Sequence, residues 1–454
     1  MSYSEEVAQT LEKVRDIVIR HRSPGSDFAV GSDIIDGIEH PVFTKMVPNL
    51  HALYKQSCEG PDLPFLVYQQ ERYSFVESYR MASQLAQALA HQYQIKKGER
   101  VAICSRNNPQ WCLAYMAVTM LGAIVVPMNS WWQGSEMLFG LKDSGSKLLF
   151  ADQQRIDLLS PHSAELEADI IAISPGADCK YPDINSIIEQ GKKYGAFDPS
   201  EHPVAPDDDA SIMYTSGSSG TPKGVLSSHR AILSAVYSWK FLKDVNEVLR
   251  PELHEPNPEF QLAILVNVPL FHVTGCHVIF LTSVHQRRKT VMMYKWNPEK
   301  ALELIETERL SYIHGVPTMT WELMNSPRFA STDLRSLRNV QSGGAPRPPE
   351  HLSMMNEKFP SIVLPGLGYG LTETNALGAT ISGSMYLAKP ASTGRACAPL
   401  TSISIQDENG ELLEPNEVGE ICIKGPSVMK GYWNRPEDTE KSLIDGWFHT
   451  GDLG

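Results

Sequence analysis

Residues 214–224 read YTSGSSGTPKG and place glycines, hydroxyl side chains and one lysine side by side. A triphosphate needs close backbone N–H groups, hydroxyl donors and a cation, and glycines let the backbone approach. The glycines are Gly217, Gly220 and Gly224, the hydroxyls belong to Thr215, Ser216, Ser218, Ser219 and Thr221, and the cation is Lys223. An apolar run at 210–214 and a helical pattern from residue 231 predict a phosphate-binding loop between a strand and a helix.

The order of residues differs from the Walker pattern, in which Gly precedes the lysine and Ser or Thr follows it. Here Pro222 precedes Lys223 and Gly224 follows it. A P-loop kinase is therefore disfavoured. On composition alone, a flexible Gly/Ser surface loop remains the plain alternative.

The bulk properties are typical of a soluble globular protein. Its length of 454 residues is enough for about three domains or subdomains. Its residues are 42% hydrophobic and 20% charged, which is ordinary for such a protein. The net charge of -13 argues against nucleic acid as the main partner. Seven scattered cysteines without a CxxC pair favour a reducing, cytoplasmic compartment and no zinc site.

The first 22 residues mix acids and bases without a continuous apolar core, which argues against a signal peptide. Apolar residues recur there at helical spacing, at Val7, Leu11, Val14 and Val18. This spacing predicts an amphipathic docking helix, with peripheral membrane contact as the minority alternative.

One uncharged segment, 111–128, reaches the lower length limit of a membrane span. Gly122 divides it into a helix-like part and the β-branched run 124–126, which Pro127 closes. The pattern therefore predicts a buried helix followed by a buried strand, and no transmembrane segment.

Short apolar runs alternate with helical patterns along most of the chain. The runs are 101–104, 124–126, 148–150 and 170–173 before the glycine-rich loop, and 263–268, 291–293, 312–316, 340 and 362–364 after it. This alternation predicts an α/β fold with two helix-flanked, mostly parallel sheets. Asn297 and Pro298 predict the start of a helix between two of these runs.

Four regions are expected along the chain. They are an N-terminal helix and lead-in at 1–48, a first α/β subdomain at 49–200, a second α/β subdomain with the phosphate loop at 201–381, and a β-rich subdomain of distorted-barrel type at 382–454. A polar, proline-bearing stretch sets the middle boundary. Alternating isoleucines and the Asn409-Gly410 turn indicate the last region.

Four further motifs follow in order, namely PLFHVTG at 269–275, SGGAP at 342–346, LGYGLTET at 367–374 and TGDL at 450–453. The first places His272 after a predicted strand, at the sheet edge where open α/β sheets bind ligands. Each motif alone has an ordinary structural explanation: a satisfied histidine, a strand-to-helix turn, a helix capped by Thr372, or an aspartate in a turn.

Together with YTSGSSGTPKG, these motifs resemble the adenylate-forming superfamily of acyl-CoA synthetases, luciferases and peptide-synthetase adenylation domains, in its AMP-dependent acyl-CoA ligase branch. The resemblance covers about residues 50–454. It implies that a carboxylic acid attacks the α-phosphorus of ATP, giving an acyl-adenylate and pyrophosphate, and that CoA then displaces AMP. The implied cofactors are ATP/AMP, Mg²⁺ and CoA, and the implied partner is the acid, with no nucleic acid.

The resemblance also implies roles for individual residues. The implied catalytic residues are Lys223, His272, Thr372 and Glu373, and the implied Mg²⁺ ligands are Thr215 and Glu373. Nucleotide contacts are expected at Thr215, Ser216, Gly217, Ser218, Ser219, Gly220, Thr221, Lys223, Gly344, Ala345, Pro346, Gly368, Tyr369, Gly370, Leu371, Thr372 and Asp452. Substrate contacts are expected at Tyr237, His272, Val273, Thr274, Gly315 and Gly343. Tyr369 would stack on the base and Asp452 would accept the ribose hydroxyls.

The substrate class is narrowed by one departure from the amino-acid-activating relatives, which carry Phe-Asp where this chain has Phe271 and His272. Without that carboxylate to pair with a substrate ammonium, an amino acid is disfavoured. The remaining pocket candidates, which include Trp239 and Cys276, are mainly apolar or small. They favour a fatty acid, with an aryl acid, or a nucleotide- and acyl-binding module without turnover, as alternatives.

After TGDL the family continues into a small C-terminal domain that carries a second catalytic lysine. We expect this chain to be the large core without that domain, and to be weakly active alone.

Overall fold

The computed structural model describes residues 3–215, 221–251, 260–360 and 362–454, with side chains from residue 9 onward. The described helices are α1 (Tyr3–His21), α2 (Leu50–Ser57), α3 (Phe75–Gln92), α4 (Pro109–Met120), α5 (Gly134–Ser144), α6 (Gln153–Leu159), α7 (Ile184–Gly191), α8 (His229–Leu249), α9 (Thr282–Gln286), α10 (Pro298–Thr307), α11 (Pro317–Asn325), α12 (Pro349–Lys358), α13 (Gly383–Ala388) and α14 (Pro436–Ser442). A wide, π-type helical segment, Thr274–Leu281, leads directly into α9.

The described strands are β1 (Val30–Ile35), β2 (Ile38–Phe43), β3 (Pro64–Tyr68), β4 (Glu71–Ser74), β5 (Arg100–Cys104), β6 (Ile124–Pro127), β7 (Leu148–Asp152), β8 (Asp169–Ile173), β9 (Asp209–Thr215), β10 (Lys223–Ser228), β11 (Ala263–Val266), β12 (Lys289–Met292), β13 (Tyr312–Gly315), β14 (Asn339–Gly343), β15 (Leu364–Tyr369), β16 (Ala379–Ser382), β17 (Arg395–Ala396), β18 (Ser402–Gln406), β19 (Glu420–Lys424), β20 (Gly431–Tyr432), β21 (Leu443–Ile444) and β22 (Trp447–Leu453).

Two mostly parallel sheets form the centre of the fold. The first has the order β20-β10-β9-β6-β5-β7-β8 and the second has the order β17-β16-β15-β14-β13-β11-β12-β3-β4. A four-stranded antiparallel sheet, β18-β19-β22-β21, comes from the C-terminal region. The predicted α/β class, with two helix-flanked sheets and a β-rich C-terminal part, is confirmed.

Strand pairing crosses the expected boundary between residues 200 and 201. Strands β9 and β10 follow that point but join the first sheet, whereas β3 and β4 precede it and join the second. The C-terminal strand β20 also pairs with β10. The division into four regions stays a prediction, but strands of different regions are hydrogen-bonded in the same sheets.

The buried core explains the layering. One large cluster holds residues of both sheets together with α3, α4 and α8, so these helices pack between the sheets. A second cluster places α10, α11 and α12 on the outer face of the second sheet. The second sheet is therefore covered on both faces, as parallel sheets require.

Several local patterns have the predicted outcome. Asn297 Oδ1 accepts from the Lys300 N–H at 2.8 Å and caps α10, whose first residue is Pro298. The uncharged segment 111–128 forms most of α4 and then β6, all buried. None of the helices in the described part of the chain has the length and apolar character needed to span a bilayer.

One strand differs from its prediction. The run 362–364 was expected to be the strand, but β15 begins at Leu364 and continues to Tyr369. Pro365 and Gly366 ordinarily interrupt strands. Here both pair in register with β14, and a Cβ at Gly366 would lie 2.0 Å from Gln341 Oε1, so the side chain of the neighbouring strand occupies that space.

Candidate active site

The glycine-rich stretch has a different setting from the one predicted. Thr215 and Lys223 are paired residues of the antiparallel strands β9 and β10, so the intervening loop connects a hairpin rather than a strand and a helix. The apolar residues after Lys223 pair with β9 before α8 begins, which the sequence prediction missed. The predicted contacts at Ser216, Gly217, Ser218, Ser219 and Gly220 lie outside the described residues; Thr221 is described and exposed.

Lys223 begins β10 and points toward acidic and aromatic groups. Its Nζ lies 3.0 Å from Asp438 Oδ1 in α14 and 4.9 Å from the centre of the Tyr432 ring. Tyr432 is held there because β20 pairs with β10. A partly exposed ammonium group on an aromatic face is suited to bind an anion such as phosphate.

Glu373 is the buried carboxylate of the site, with 8% of its surface exposed. The Tyr432 hydroxyl donates to Glu373 Oε1 at 2.9 Å. Burial raises the pKa of Glu373, the charge of Lys223 opposes that effect, and the charge of Asp452 adds to it. A carboxylate in this position, with one oxygen bonded to a neutral hydroxyl, is chemically suited to a hard cation.

Tyr369 and Asp452 meet at the edge of the same site. The Tyr369 hydroxyl donates to Asp452 Oδ2 at 2.7 Å, and Asp452 is exposed. Burial and the Asp452 carboxylate both raise the pKa of the tyrosine hydroxyl. The two residues predicted to contact base and ribose are therefore neighbours.

Several glycines lie beside this pair, in β14, in β15 and in the turns that follow them. Gly343 and Gly368 are paired in adjacent strands, and a Cβ at Gly343 would lie 3.2 Å from the Gly368 carbonyl oxygen. A Cβ at Gly370 would lie 2.5 Å from the backbone of Ala376. Gly344 has φ +77°, a conformation that favours glycine, and the following Ala345 and Pro346 are exposed. Backbone thus packs closely against Gly343 and Gly370, whereas the position of a Cβ at Gly344 is open.

The short turn Thr372–Thr374 follows the glycines. Thr374, rather than Thr372, supplies the side-chain oxygen that accepts from the Leu371 N–H, at 3.1 Å. The alternative of a turn capped by Thr372 is therefore wrong. Thr372 itself is half-buried and adjoins Glu373.

His272 lies in the loop between β11 and the π-type segment. Its ring is accessible to solvent, yet surrounding protein lowers its pKa by desolvation. The Thr274 N–H donates to His272 Nδ1 at 3.3 Å, which places the proton of the neutral ring on Nε2. The ring can thus donate a hydrogen bond to a carboxylate oxygen at neutral pH.

The predicted substrate contacts separate into two groups. Val273 is buried, and Gly315 ends β13 in tight packing, where a Cβ would lie 2.7 Å from Asn267 Nδ2. Tyr237 points elsewhere: its ring stacks on His285, and its hydroxyl accepts from the Val47 N–H at 3.3 Å. Its side chain is used for packing, and this placement does not support a substrate contact.

A cavity of about 890 Å³ lies between the second sheet, α8 and α1. Its near end reaches Gly368, beside Tyr369. The helices line it with apolar residues, namely Trp239, Leu242, Val245 and Leu249 from α8 and Leu11, Val14 and Val18 from α1. The sheet lines it with polar residues, namely Tyr312, His314, Asn339 and Gln341. The docking expected for the N-terminal helix is thus intramolecular, against α8 and α13.

Sequence reasoning missed Tyr432, the middle residue of GYW at 431–433, and Asp438, which follows it in α14. It also missed a group in the C-terminal sheet, where Glu420, Cys422 and His449 each place a ligand atom within 4.8 Å of the others. The absence of a CxxC pair favoured no zinc site. Glu420 and Cys422 are neighbours on β19, but His449 lies 27 residues after Cys422, and the pairing of β19 with β22 brings it to them.

The AMP-binding enzyme family matches residues 53–433, and the chain belongs to this family.

Three similar proteins specify the class further. Feruloyl-CoA synthase of an Amycolatopsis species is 31% identical over 381 residues, covering 84% of this chain and 70% of that protein. Long-chain-fatty-acid–CoA ligase FadD13 of Mycobacterium tuberculosis is 30% identical over 360 residues, covering 79% and 66%. The crystal structure of the N-terminal domain of FACL13 from M. tuberculosis has a TM-score of 0.76 and 27% identity, covering 90% of this chain and 97% of that one. Two of these relatives are named as a CoA synthase and a CoA ligase, and the third is the N-terminal domain of FACL13. They support the acid–CoA ligase class that the motifs predicted.

Proposed function

We propose that the chain carries the adenylation site of an acid–CoA ligase that activates a fatty-type acid with an extended apolar chain. The observation that carries the proposal is the cavity of about 890 Å³ that opens at Gly368, next to the residues predicted to bind nucleotide. Its apolar roof from α8 and α1 provides burial for an acyl chain, worth about 0.8 kcal/mol for each methylene group.

The reacting groups would lie at the carboxyl ends of β13, β14 and β15. His272 Nε2–H would orient the substrate carboxylate, Lys223 would neutralise charge on the phosphates, and Thr372 would donate to the α-phosphate. Thr215 and Glu373 would hold Mg²⁺, which when bound neutralises charge on the leaving pyrophosphate. The acid, ATP and CoA are the proposed ligands.

A second candidate is an aryl acid, favoured by the similarity to feruloyl-CoA synthase. The fatty acid and the aryl acid differ in how far they would extend into the cavity. An aryl ring would end close to Gly368, whereas a long aliphatic chain would reach α1. Non-hydrolysable acyl-adenylate analogues bind without requiring turnover, so they separate these candidates and the binding-module alternative.

The test is a thermal-shift and calorimetric series on this chain with analogues of increasing aliphatic length and with a cinnamoyl analogue. We expect affinity to rise with chain length up to the extent of the cavity. A cinnamoyl analogue that binds more tightly than every aliphatic one would favour the aryl acid. Binding of AMP alone, with no gain from any acyl group, would contradict acid activation.

A further inference from the structure

Arg288 presents an unpaired cation to the far end of the cavity. It is only 5% exposed, it lines the cavity, and neither its Nε nor its Nη2 has a hydrogen-bond partner among the described residues. Its guanidinium lies 5.2 Å from the centre of the Tyr312 ring. Buried charges are ordinarily paired, because an unpaired one loses its hydration without compensation.

The position of Arg288 is fixed by the local structure. Arg287 adopts a left-handed conformation that ends α9, and the Arg288 N–H then donates to the Ser283 carbonyl at 3.0 Å before β12 begins. Alternation along β12 places Arg288 on the same face as Thr290, toward the core between the sheets. Desolvation lowers its pKa to about 10, so it remains charged at neutral pH.

Other polar groups at this end also lack partners. Gln286 Oε1 and Asn339 Oδ1 are buried without a hydrogen bond in the described part of the chain, and both residues line the cavity. These oxygens only accept, so a carboxylate would need the NH₂ groups of the amides, which a rotation of each amide group would present. The cavity thus holds unsatisfied amide groups as well as a buried cation.

The charge of the lining supports the same conclusion. The whole chain has a net charge of -13, yet the cavity is lined by six basic side chains and one acidic side chain. The basic residues are Arg15, Arg22, Lys243, Arg288, Lys389 and Arg395, and the acidic one is Glu12. Four of these basic residues are exposed and Lys243 is paired with Glu247, so among the described residues Arg288 is the buried, unpaired cation of this lining.

The sheet fixes the distance between the two ends of the cavity. Asn339 and Gly343 begin and end β14, and a parallel strand rises about 3.3 Å per residue, so they are separated by about 13 Å. Gly343 pairs with Gly368 at the nucleotide edge, and Asn339 pairs with Tyr312 near Arg288. A medium-length acyl chain spans this separation.

We propose that the acid substrate carries a second carboxylate at its distal end, bound by the guanidinium of Arg288. This inference rests on the proposed activation of an extended acid and specifies its class as a dicarboxylic acid. The first carboxylate is activated at the nucleotide edge, and the second accepts hydrogen bonds from the guanidinium. A purely structural Arg288, held by Tyr312, would show no preference for such a tail.

The test compares two acyl-adenylate analogues of equal length, one ending in a carboxylate and one in a methyl group, by calorimetry on this chain. We expect the carboxylate-ended analogue to bind on the order of 10- to 100-fold more tightly, as for a hydrogen bond to a charged group. Arg288→Met is expected to abolish this ratio. Arg288→Lys, which keeps the charge, is expected to retain part of it.

Arg347→Met is the matched control. Arg347 is also 5% exposed, belongs to the same half of the fold and stacks over Tyr386 at 5.6 Å, but it does not line the cavity. We expect it to keep the preference for the carboxylate-ended analogue. Because the preference is a ratio, changes in binding of the adenylate part cancel.

Each outcome decides a separate point. Equal binding of the two analogues by the unaltered chain, or tighter binding of the methyl-ended one, overturns the dicarboxylate inference while leaving activation of an extended acid intact. A preference that persists in Arg288→Met overturns the role of Arg288. Failure of both long analogues, with binding of the cinnamoyl one, overturns the proposed function itself. The comparison on the unaltered chain remains decisive if a variant fails to fold.

Discussion

Replacement of Lys223 by alanine should reduce ATP affinity far more than it reduces stability. In the free protein, Lys223 is paired with Asp438 at 3.0 Å, with 22% and 36% of the two side chains exposed. A partly exposed pair of this kind contributes about 0–1 kcal/mol, and the contact with the Tyr432 ring adds about 0.5–1 kcal/mol. We therefore expect the free energy of unfolding to fall by about 1 kcal/mol.

The effect on binding should be larger because phosphate is a stronger partner. A hydrogen bond from a cation to a phosphate oxygen contributes about 1.5–3 kcal/mol, which corresponds to about a 10- to 150-fold change in Kd. Part of this binding free energy is offset because Lys223 must first give up its ion pair with Asp438. Asp438→Asn removes that competition, so we expect it to leave ATP affinity unchanged or increased, opposite to Lys223→Ala.

Lys289→Ala provides the matched control. Lys289 Nζ also lies 3.0 Å from a carboxylate, Glu308 Oε2, and both side chains are partly buried, but Lys289 begins β12 of the second sheet whereas Lys223 begins β10 of the first. Calorimetry with ATP and Mg²⁺ gives the affinities, and denaturant unfolding gives the stabilities. The reasoning is refuted if Lys223→Ala changes the Kd no more than Lys289→Ala does, or if its loss of stability accounts for the loss of binding.

Two further predictions concern titratable groups. Burial raises the pKa of Glu373, so folding favours its protonated form, and stability is lost as the pH rises through that raised pKa. We therefore expect Glu373→Gln to be more stable than the unaltered chain at pH 7 but not in acid, which urea unfolding at the two pH values would show. We also expect Glu373→Gln to lose Mg²⁺-dependent ATP binding, which calorimetry would show. His229 is fully buried, desolvation lowers its pKa from 6.5 to about 4, and its Nδ1 accepts from the Leu50 N–H. The free energy of unfolding should therefore fall by about 1 kcal/mol per pH unit as the pH drops through this interval. His229→Asn should show a smaller dependence of the free energy of unfolding on pH, and an equal dependence would contradict this assignment.

The sequence predicted the features that depend on local pattern. Apolar runs gave most of the parallel strands, and Asn297 gave a helix start, because alternation and capping are properties of neighbouring residues. The order of the motifs predicted the family. The hairpin of β9 and β10 was missed because β10 contains only Val225 and Leu226 as large apolar residues and is stabilised by pairing with β9 and β20, which no local pattern shows.

The contacts within the site depended on distant pairing. Tyr432 reaches Glu373 only because β20 joins the first sheet, and Asp438 reaches Lys223 only because α14 follows that strand. Tyr237 illustrates the reverse case. Its position in α8 made it a pocket candidate, but the turn of the helix directs its ring to His285, while Trp239 faces the cavity.

The parallel strands of the second sheet separate two chemical tasks. Their carboxyl ends carry Gly343, Gly368 and Tyr369, where glycines and a loop leave space for a nucleotide. Their amino ends carry Asn339 and lie beside Arg288, which comes directly before β12. Because strand length fixes the distance between these ends, the proposed dicarboxylic acid would have to match that distance to reach from the nucleotide edge to the buried cation. On this proposal, a change at Arg288 would alter the choice of acid without touching the groups that would bind ATP.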